Sequence, residues 1–239
     1  MIDIIKNTID RIAFGYVFTA DEFDITVKNP TAVSRILNDF VTAGYLRKLS
    51  KGKFYKPKMS KFGELPPDNY QAVKDLLKKN DKLIGYITGY SAFNDLGLTT
   101  QVPFALQIGT YDEKKAIKRS VYHISFIKQR NTITKENTPL LKLLDCLRLF
   151  KNIPDTTSDK ACQRLLYLLS QLDDNQRNKI KKLALKYTPQ TIAVLSAMLE
   201  TLNPDEDTNS LFKRINPMTT YKLGISLKVL PNQKKWNIR

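Results

Sequence analysis

The first 61 residues carry helix-start signals and apolar spacings in an order that few folds can accommodate. Isoleucines recur at spacings of three and four over residues 2–13, which predicts a helix. Thr19-Ala-Asp-Glu22 has the pattern of a capping box, so a short helix is expected to start there and run to about Ile25. Asn29-Pro30 combines an N-cap with a proline at the first helical position and predicts a third helix. Gly44 stands where a left-handed residue would end that helix.

Two short strand patterns follow the third helix and flank a glycine. Leu46–Leu49 and Lys53–Lys56 lie on either side of Ser50-Lys-Gly52, which is the composition of a hairpin turn. The order of helix, short helix, capped helix and basic hairpin predicts a winged helix-turn-helix over residues 1–61. In that fold the third helix buries one face and presents short polar or arginine side chains on the other.

The outward face of the third helix and the hairpin are suited to duplex DNA. Short side chains let a helix enter a major groove about 12 Å wide, and Arg35 can reach guanine O6 and N7 together. Tyr45–Lys61 holds seven Lys or Arg residues and no acid, as expected for phosphate contacts. The predicted DNA-binding residues are Lys28, Thr31, Ser34, Arg35, Asn38, Arg47, Lys48, Lys51 and Lys53. An amphipathic helix with an ordinary polar face, or a helical module that binds protein, would show a similar pattern.

The charge of the whole chain favours a polyanionic partner. Thirty-nine Lys and Arg residues against 23 Asp and Glu give a net charge of +16, which indicates nucleic acid or an anionic membrane surface. The hydrophobic content of 42% excludes a wholly disordered chain. The apolar runs are far shorter than the ~20 residues needed to cross a bilayer. The amphipathic N-terminus carries Asp3 and Asp10, unlike a signal peptide, so a cytoplasmic protein with no membrane partner is expected.

Few residues of the chain could support catalysis or hold a metal. The single His123 lies in an alternating pattern typical of a packed or hydrogen-bonded strand residue, and one histidine excludes multi-histidine metal sites. Cys146 and Cys162 lie in Leu-rich helical patterns and are predicted to be reduced core residues. Asp155 and Asp159 are predicted to be turn and cap residues. We therefore expect no catalytic residue, no metal and no cofactor, and predict that the chain is not an enzyme.

Residues 68–239 are expected to form a second, larger domain after a linker that contains Pro66-Pro67. Strand patterns alternate with short helices up to about residue 135, and helical spacing dominates from Thr138. The predicted fold class is α+β, with an N-terminal winged helix-turn-helix, a central small α/β unit and a helical C-terminal part. A further boundary inside the second domain could lie near residue 152. Helices are predicted at 139–150, 159–171, 174–186 and 189–201, and a hairpin is predicted from 225–230 and 235–238.

One segment of the central unit resembles a known family. Gly85-Tyr-Ile-Thr-Gly-Tyr-Ser-Ala-Phe-Asn-Asp-Leu-Gly-Leu-Thr-Thr-Gln-Val-Pro103, followed by Ala105-Leu-Gln-Ile-Gly-Thr110, is similar to the core segment of AbiEi-type antitoxins from type IV, abortive-infection toxin-antitoxin systems. The resemblance covers roughly residues 5–150. It implies a bacterial antitoxin that represses its own operon through the Thr31–Asn38 face and Arg47–Lys53. It also implies that the partner gene encodes a nucleotidyltransferase-like toxin.

Two classes of function stay open at this point. The first is a DNA-binding antitoxin that represses its own promoter and counters a nucleotidyltransferase-like toxin. The second is a stand-alone winged-helix transcriptional regulator or a basic protein-interaction module. A co-transcribed nucleotidyltransferase gene next to this one would favour the first.

Overall fold

Helices and small sheets alternate in the computed structural model, which describes residues 1–23, 30–101 and 104–239. The predicted α+β class is confirmed by this mixture. The chain divides into two units, of which the first comprises Met1–Leu76 with Ala116–Ile124. The second comprises Leu77–Lys115 with Ser125–Arg239. The first unit therefore extends past the linker that the sequence predicts around Pro66-Pro67.

The N-terminal elements of the first unit pack around one apolar core. They are α1 (Ile2–Arg11), β1 (Val17–Phe18), a 3-10 turn (Ala20–Glu22), α2 (Pro30–Thr42), β2 (Arg47–Ser50) and β3 (Lys53–Tyr55). The strands form an antiparallel sheet in the order β1-β3-β2. The apolar stripes that predict the helices face inward, as amphipathic helices require. The core consists of Ile5, Ile9, Phe18, Phe23, Val33, Leu37, Leu46 and Phe54.

Two helix-boundary signals of this stretch, the capping box and the glycine after the third helix, are present in the structure. Thr19 and Glu22 form the predicted capping box, with the Thr19 backbone N donating to Glu22 Oε1 at 3.1 Å. The element they begin is a single 3-10 turn rather than a longer helix. Ile25 and Asn29, the expected end of that helix and the expected cap of the next, lie outside the described residues. Gly44 has a φ of +77°, as predicted for a glycine that ends a helix.

A second hairpin and a helix complete this part of the first unit. β4 (Lys58–Ser60) pairs antiparallel with β5 (Gly63–Leu65), and α3 (Asn69–Leu77) follows them. The sequence pattern predicts only a linker over residues 62–67, because three-residue strands are too short to show a period of two. Gly63 has a φ of +108°, a conformation that suits glycine and supports the tight turn before it.

Between α3 and residue 128, the described residues form seven further elements. They are β6 (Lys78–Lys79), β7 (Lys82–Leu83), β8 (Gly85–Thr88), α4 (Tyr90–Asp95), β9 (Ala105–Thr110), β10 (Ile117–Arg119) and β11 (Tyr122–Lys128). Val102 and Pro103, which end the segment that resembles the antitoxins, lie outside the described residues.

The hairpin of β10 and β11 explains where the first unit ends. Arg119 is buried, and its guanidinium donates to Ala72 O at 2.9 Å and to the two oxygens of Asp75 at 2.6 and 2.9 Å. These bonds join the hairpin to α3. The first unit therefore includes β10, the first three residues of β11 and α3 up to Leu76, and it does not end in the predicted linker.

In the second unit, β8 and β9 pair antiparallel. Tyr86 of β8 is buried and pairs with Gly109 of β9. A Cβ atom at position 109 would lie only 2.4 Å from the Tyr86 ring, so the close approach of this ring requires glycine.

Helices form most of the rest of the second unit. The four predicted helices are confirmed to within two residues at each end, as α5 (Asn137–Arg148), α6 (Ser158–Ser170), α7 (Asp174–Ala184) and α8 (Pro189–Leu202). A short α9 (Asn209–Phe212) follows them. Residues 191–199 of α8 are all buried, which makes this helix the centre of the larger core. Within the described ranges, no helix combines the length and the apolar character needed to cross a membrane.

The predicted C-terminal hairpin is wrong. Residues 233–236 form a 3-10 turn, and Ile238 makes an isolated parallel bridge with Tyr221. The reason is the burial of Trp236, whose Nε1 donates to Glu200 Oε2 of α8 at 2.9 Å. Anchoring this ring in the core outweighs the alternating pattern on which the hairpin prediction relied.

Candidate nucleic-acid interface

The position of α2 in the core determines which of its side chains reach solvent. Val33 and Leu37 are buried on one side of the helix. Thr31, Arg35 and Asn38 are exposed, and Ser34 is half-buried. The polar face predicted to read DNA is therefore accessible. Lys28, predicted to contact phosphate just before this helix, lies outside the described residues.

A polar link joins this face of α2 to strand β2. Asn38 Nδ2 donates to Ser34 O at 2.7 Å, and Lys48 Nζ donates to Asn38 Oδ1 at 3.1 Å. The Lys48 ammonium also lies 5.9 Å from the centroid of the Phe54 ring. These contacts orient Lys48 and Asn38 but leave both residues exposed, so each retains donors for a phosphate or a base edge.

The turn between β2 and β3 presents an unpaired cation. Lys51 is exposed, and across the described part of the chain its ammonium has neither an ion pair nor a hydrogen bond. Gly52 has a φ of +72°, and a Cβ built on it would meet nothing within 4 Å. The tip of this hairpin is therefore open on the side of the glycine, where a nucleic-acid backbone could approach closely.

Arg47 and Lys53 are engaged within the first unit. The Arg47 guanidinium forms a two-pronged ion pair with Glu64 of β5, with Nε 2.7 Å from Oε2, and its Nη1 donates to Gly44 O and Leu46 O at 2.9 Å. Lys53 Nζ lies 3.4 Å from Asp75 Oδ2. Of the predicted wing cations, these two therefore have less charge to offer a phosphate than Lys48 and Lys51.

The carboxylate of Asp75 is held ionised by its two basic neighbours. Burial alone would raise its pKa, but the hydrogen bonds and charges of Arg119 and Lys53 outweigh burial and lower the pKa below its ordinary value. Lys53 thus serves as part of a packed ion cluster as well as a surface charge.

Sequence reasoning missed the hairpin of β4 and β5 as a contact surface. Its turn exposes Lys61 and the whole of the Phe62 side chain, which is 100% exposed. Met59 on β4 is 67% exposed. The signal available in the sequence was Lys61-Phe62-Gly63, a basic and an aromatic residue before a turn glycine. Lys56, in the same basic run, is instead buried and donates to Ile9 O and Asp10 O at 3.3 and 3.0 Å.

The residues considered for catalysis have structural partners or lie apart. His123 is on a strand as predicted, although its side chain is exposed. Cys146 and Cys162 are free, buried thiols as predicted, and burial raises the pKa of Cys162 to about 12. Asp155 adopts a turn conformation with a φ of +53°. The cap prediction for Asp159 is wrong, because Thr157 caps α6 and Asp159 accepts from the Ser226 backbone N at 2.7 Å.

Comparisons with known proteins give a family and a solved structure of similar fold. Residues 4–180 match a family of unknown function, DUF6088, and the chain belongs to that family. A crystal structure of the RV2827C protein from Mycobacterium tuberculosis is similar in fold, with a TM-score of 0.59 at 12% identity. The similarity covers 92% of this chain and 83% of that one. A search of curated proteins found no match.

Proposed function

We propose that this chain is a DNA-binding antitoxin of the AbiEi type, which represses its own promoter and counters a nucleotidyltransferase-like toxin. In this proposal residues 1–61 act as a winged helix-turn-helix, with α2 as the recognition helix and the β2–β3 hairpin as the wing. The observation that carries it is the exposed face of α2, with Arg35 and Asn38, beside the exposed Lys48 and Lys51. The similarity of Gly85–Pro103 to the antitoxin core segment supports the second half of the proposal.

The chemistry of this face fits a major groove. Arg35 is long and planar enough to donate two hydrogen bonds to guanine O6 and N7, the most common specific protein–DNA contact. Thr31 and Asn38 are short, so they let the helix backbone approach the base edges. Lys48 and Lys51 supply phosphate contacts, which position the protein without reading sequence.

A footprint of the full-length protein on its own promoter tests the DNA-binding half of the proposal. We expect protection of a discrete site and repression of a reporter driven by that promoter. The antitoxin half is tested separately, by co-expression with the proposed nucleotidyltransferase-like toxin, where growth should recover. A protein that protects no site in its promoter, at salt concentrations near 0.15 M, would contradict the first half. Growth arrest that persists despite good expression would contradict the second.

Lys51 and Lys53 should differ in how they affect the salt dependence of DNA binding. Replacing the unpaired Lys51 by alanine is expected to reduce the slope of log K against log salt by about 0.9, the value for one lost phosphate contact. Lys53→Ala should change the slope much less, because Asp75 already pairs with that ammonium. Fluorescence anisotropy with a promoter duplex at several salt concentrations measures both slopes. Equal reductions by the two variants would show that the pair with Asp75 opens on DNA.

A second candidate function is a module that binds another protein, and one observation favours it. Phe62 is fully exposed at the tip of the β4–β5 hairpin, with Met59 also exposed on β4. Exposed aromatic and methionine side chains are frequent anchors of protein interfaces. Phe62→Ser separates the candidates. Loss of promoter binding would place Phe62 at the DNA, where apolar side chains can wedge between base steps. Unchanged promoter binding would leave Phe62 available for a protein partner.

A further inference from the structure

The second unit contains a cleft of about 430 Å³ whose wall is strongly cationic. Four basic residues, each exposed, and one acid line it. All of them come from this unit: from the loop after β9, the end of β11 and the residues that follow it, the last residue of α5 and the segment before α8. They are Lys128, Arg130, Arg148, Lys186 and Glu113.

The two lysines and the two arginines of the cleft differ in their contacts. Lys128 Nζ lies 3.0 Å from Glu113 Oε1, and Lys186 Nζ donates to Arg130 O at 3.3 Å. The guanidinium groups of Arg130 and Arg148, by contrast, are neither hydrogen-bonded nor ion-paired within the residues that the structure covers. Two free guanidiniums in one concave site offer two planar forks of donors, which match the oxygens of phosphate.

The floor of the cleft is rigid because it belongs to a buried hydrogen-bond network. Gln129 Nε2 donates to the hydroxyls of Tyr187 and Tyr86, both at 2.8 Å. Tyr187 donates to Asp145 Oδ1 at 2.9 Å, and Tyr86 donates to Oδ2 at 2.6 Å. Gln129 and Asp145 are 5% and 1% exposed. Because Tyr187 and Gln129 also line the cleft, this network fixes its shape before any ligand arrives.

The first residues of α8 add to the positive potential. Thr188, which caps this 14-residue helix, and Pro189, its first residue, both line the cleft. The N-terminus of a helix carries the positive end of the helix dipole, so it strengthens a site already defined by the arginines.

We propose that this cleft binds the phosphates of a nucleoside di- or triphosphate. Its volume lies within the range of about 300–1,000 Å³ that is usual for small-molecule sites. The cleft is concave and contains two arginines whose guanidiniums make no hydrogen bond or ion pair among the described residues. This combination favours a small ligand that carries several phosphate oxygens. Glu113 is the one acid in the wall, and it moderates affinity by pairing with Lys128. The proposal rests on this geometry and does not depend on DNA binding by the first unit.

Isothermal titration calorimetry of the full-length protein with ATP, pyrophosphate and inorganic phosphate, without magnesium, tests the proposal. We expect ATP and pyrophosphate to bind, with inorganic phosphate weaker. Arg148→Gln and Arg130→Gln should each weaken ATP binding about 10- to 100-fold, as for lost charge-assisted hydrogen bonds. Glu113→Gln should tighten it about threefold, because Lys128 is released from an exposed ion pair.

Arg214→Gln is the matched control, because Arg214 is an exposed arginine of the same unit outside the cleft. We expect it to leave ATP affinity within twofold of wild type, and we expect thermal melting of all the variants to stay unchanged. Absence of ATP and pyrophosphate binding up to millimolar concentrations would overturn the proposal. So would equal weakening by Arg148→Gln and Arg214→Gln. The proposal would also be overturned if a single-stranded RNA bound through Arg130 and Arg148 while ATP did not bind. The ligand of the cleft would then be a nucleic-acid strand and not a nucleotide.

Discussion

Replacing Asp145 by leucine is expected to lower the free energy of unfolding of the second unit by about 3–5 kcal/mol. The carboxylate is buried and accepts hydrogen bonds from three hydroxyls, those of Tyr86, Thr88 and Tyr187, at 2.6, 2.7 and 2.9 Å. Leucine has no acceptor, and because it is larger than aspartate it also overpacks the buried site. Each hydroxyl then loses the carboxylate as its acceptor inside a low-dielectric core, where an unsatisfied donor costs about 1–3 kcal/mol. Release of the buried carboxylate from its own desolvation offsets part of this loss.

Urea unfolding followed by tryptophan fluorescence measures this effect. Trp236 is the single tryptophan of the chain, and it belongs to the same hydrophobic core as Tyr86. Asp112→Leu is the control, since Asp112 is exposed, and its effect should stay within about 0.5 kcal/mol. If Asp145→Leu were no more destabilising than Asp112→Leu, the three hydroxyls would have other partners in solution and the network would not hold the cleft floor.

The same carboxyl predicts a pH dependence. Burial raises the pKa of Asp145 above its ordinary value, although the hydroxyls of Tyr86, Thr88 and Tyr187 and the charge of Arg148 oppose burial. The unfolded chain therefore releases this proton at lower pH than the folded chain. Stability that depends on Asp145 is full below the ordinary pKa and is lost as pH rises towards the raised value. Asp145→Asn removes this titration. The stability of wild type relative to Asp145→Asn should fall as pH increases above about 4 in urea titrations, and a constant difference would contradict the raised pKa.

Local signals in the sequence predict those parts of the fold that depend on neighbouring residues. The apolar stripes of α1 and α2, the capping box at Thr19 and the proline start at Thr188-Pro189 each involve residues within one or two turns. Helix caps and amphipathic spacing are local physics, so the four long helices of the second unit could also be predicted.

Features that depend on distant residues could not be predicted in this way. Strand β10 belongs to the first unit, where Arg119 bonds to Asp75, a residue far away in the sequence. Nothing near Asp145 in the sequence indicates that three hydroxyls would surround it, because it sits in a Leu-rich helix. The cationic cleft likewise combines Arg130, Arg148 and Lys186 from separate segments.

The predicted DNA-binding residues show the same division. Exposure of Thr31, Arg35 and Asn38 follows from the helical period, since Val33 and Leu37 on the same helix must be buried. Whether a basic side chain of the β2–β3 hairpin is ion-paired does not follow from hydrophobic periodicity or from composition. Arg47 and Lys53 look equivalent to Lys51 in the sequence, and only the fold pairs them with Glu64 and Asp75.

Arg35 is expected to be the main determinant of DNA sequence preference. Arg35→Ala should weaken binding to the promoter site by about 1–3 kcal/mol, roughly 5- to 150-fold, and relax the preference at one base pair. In the proposed complex with DNA, this change removes a two-pronged contact to guanine from an exposed position on α2. Arg35→Lys keeps the charge but not the fork, so it should retain affinity for scrambled DNA and still lose preference for the promoter site.

Titration of the variants against cognate and scrambled duplexes at several salt concentrations separates the two losses. Arg11→Ala is the matched control, since Arg11 is an exposed arginine at the end of α1, outside the predicted contact face. Its removal should weaken binding to both duplexes slightly and equally, because a distant charge acts only through the general electrostatic field. If Arg35→Ala discriminated between the two duplexes as well as wild type does, Arg35 on α2 would not be the residue that reads the sequence. Recognition would then have to come from the hairpins, of which the one with Phe62 at its tip is the better placed to distort a base step.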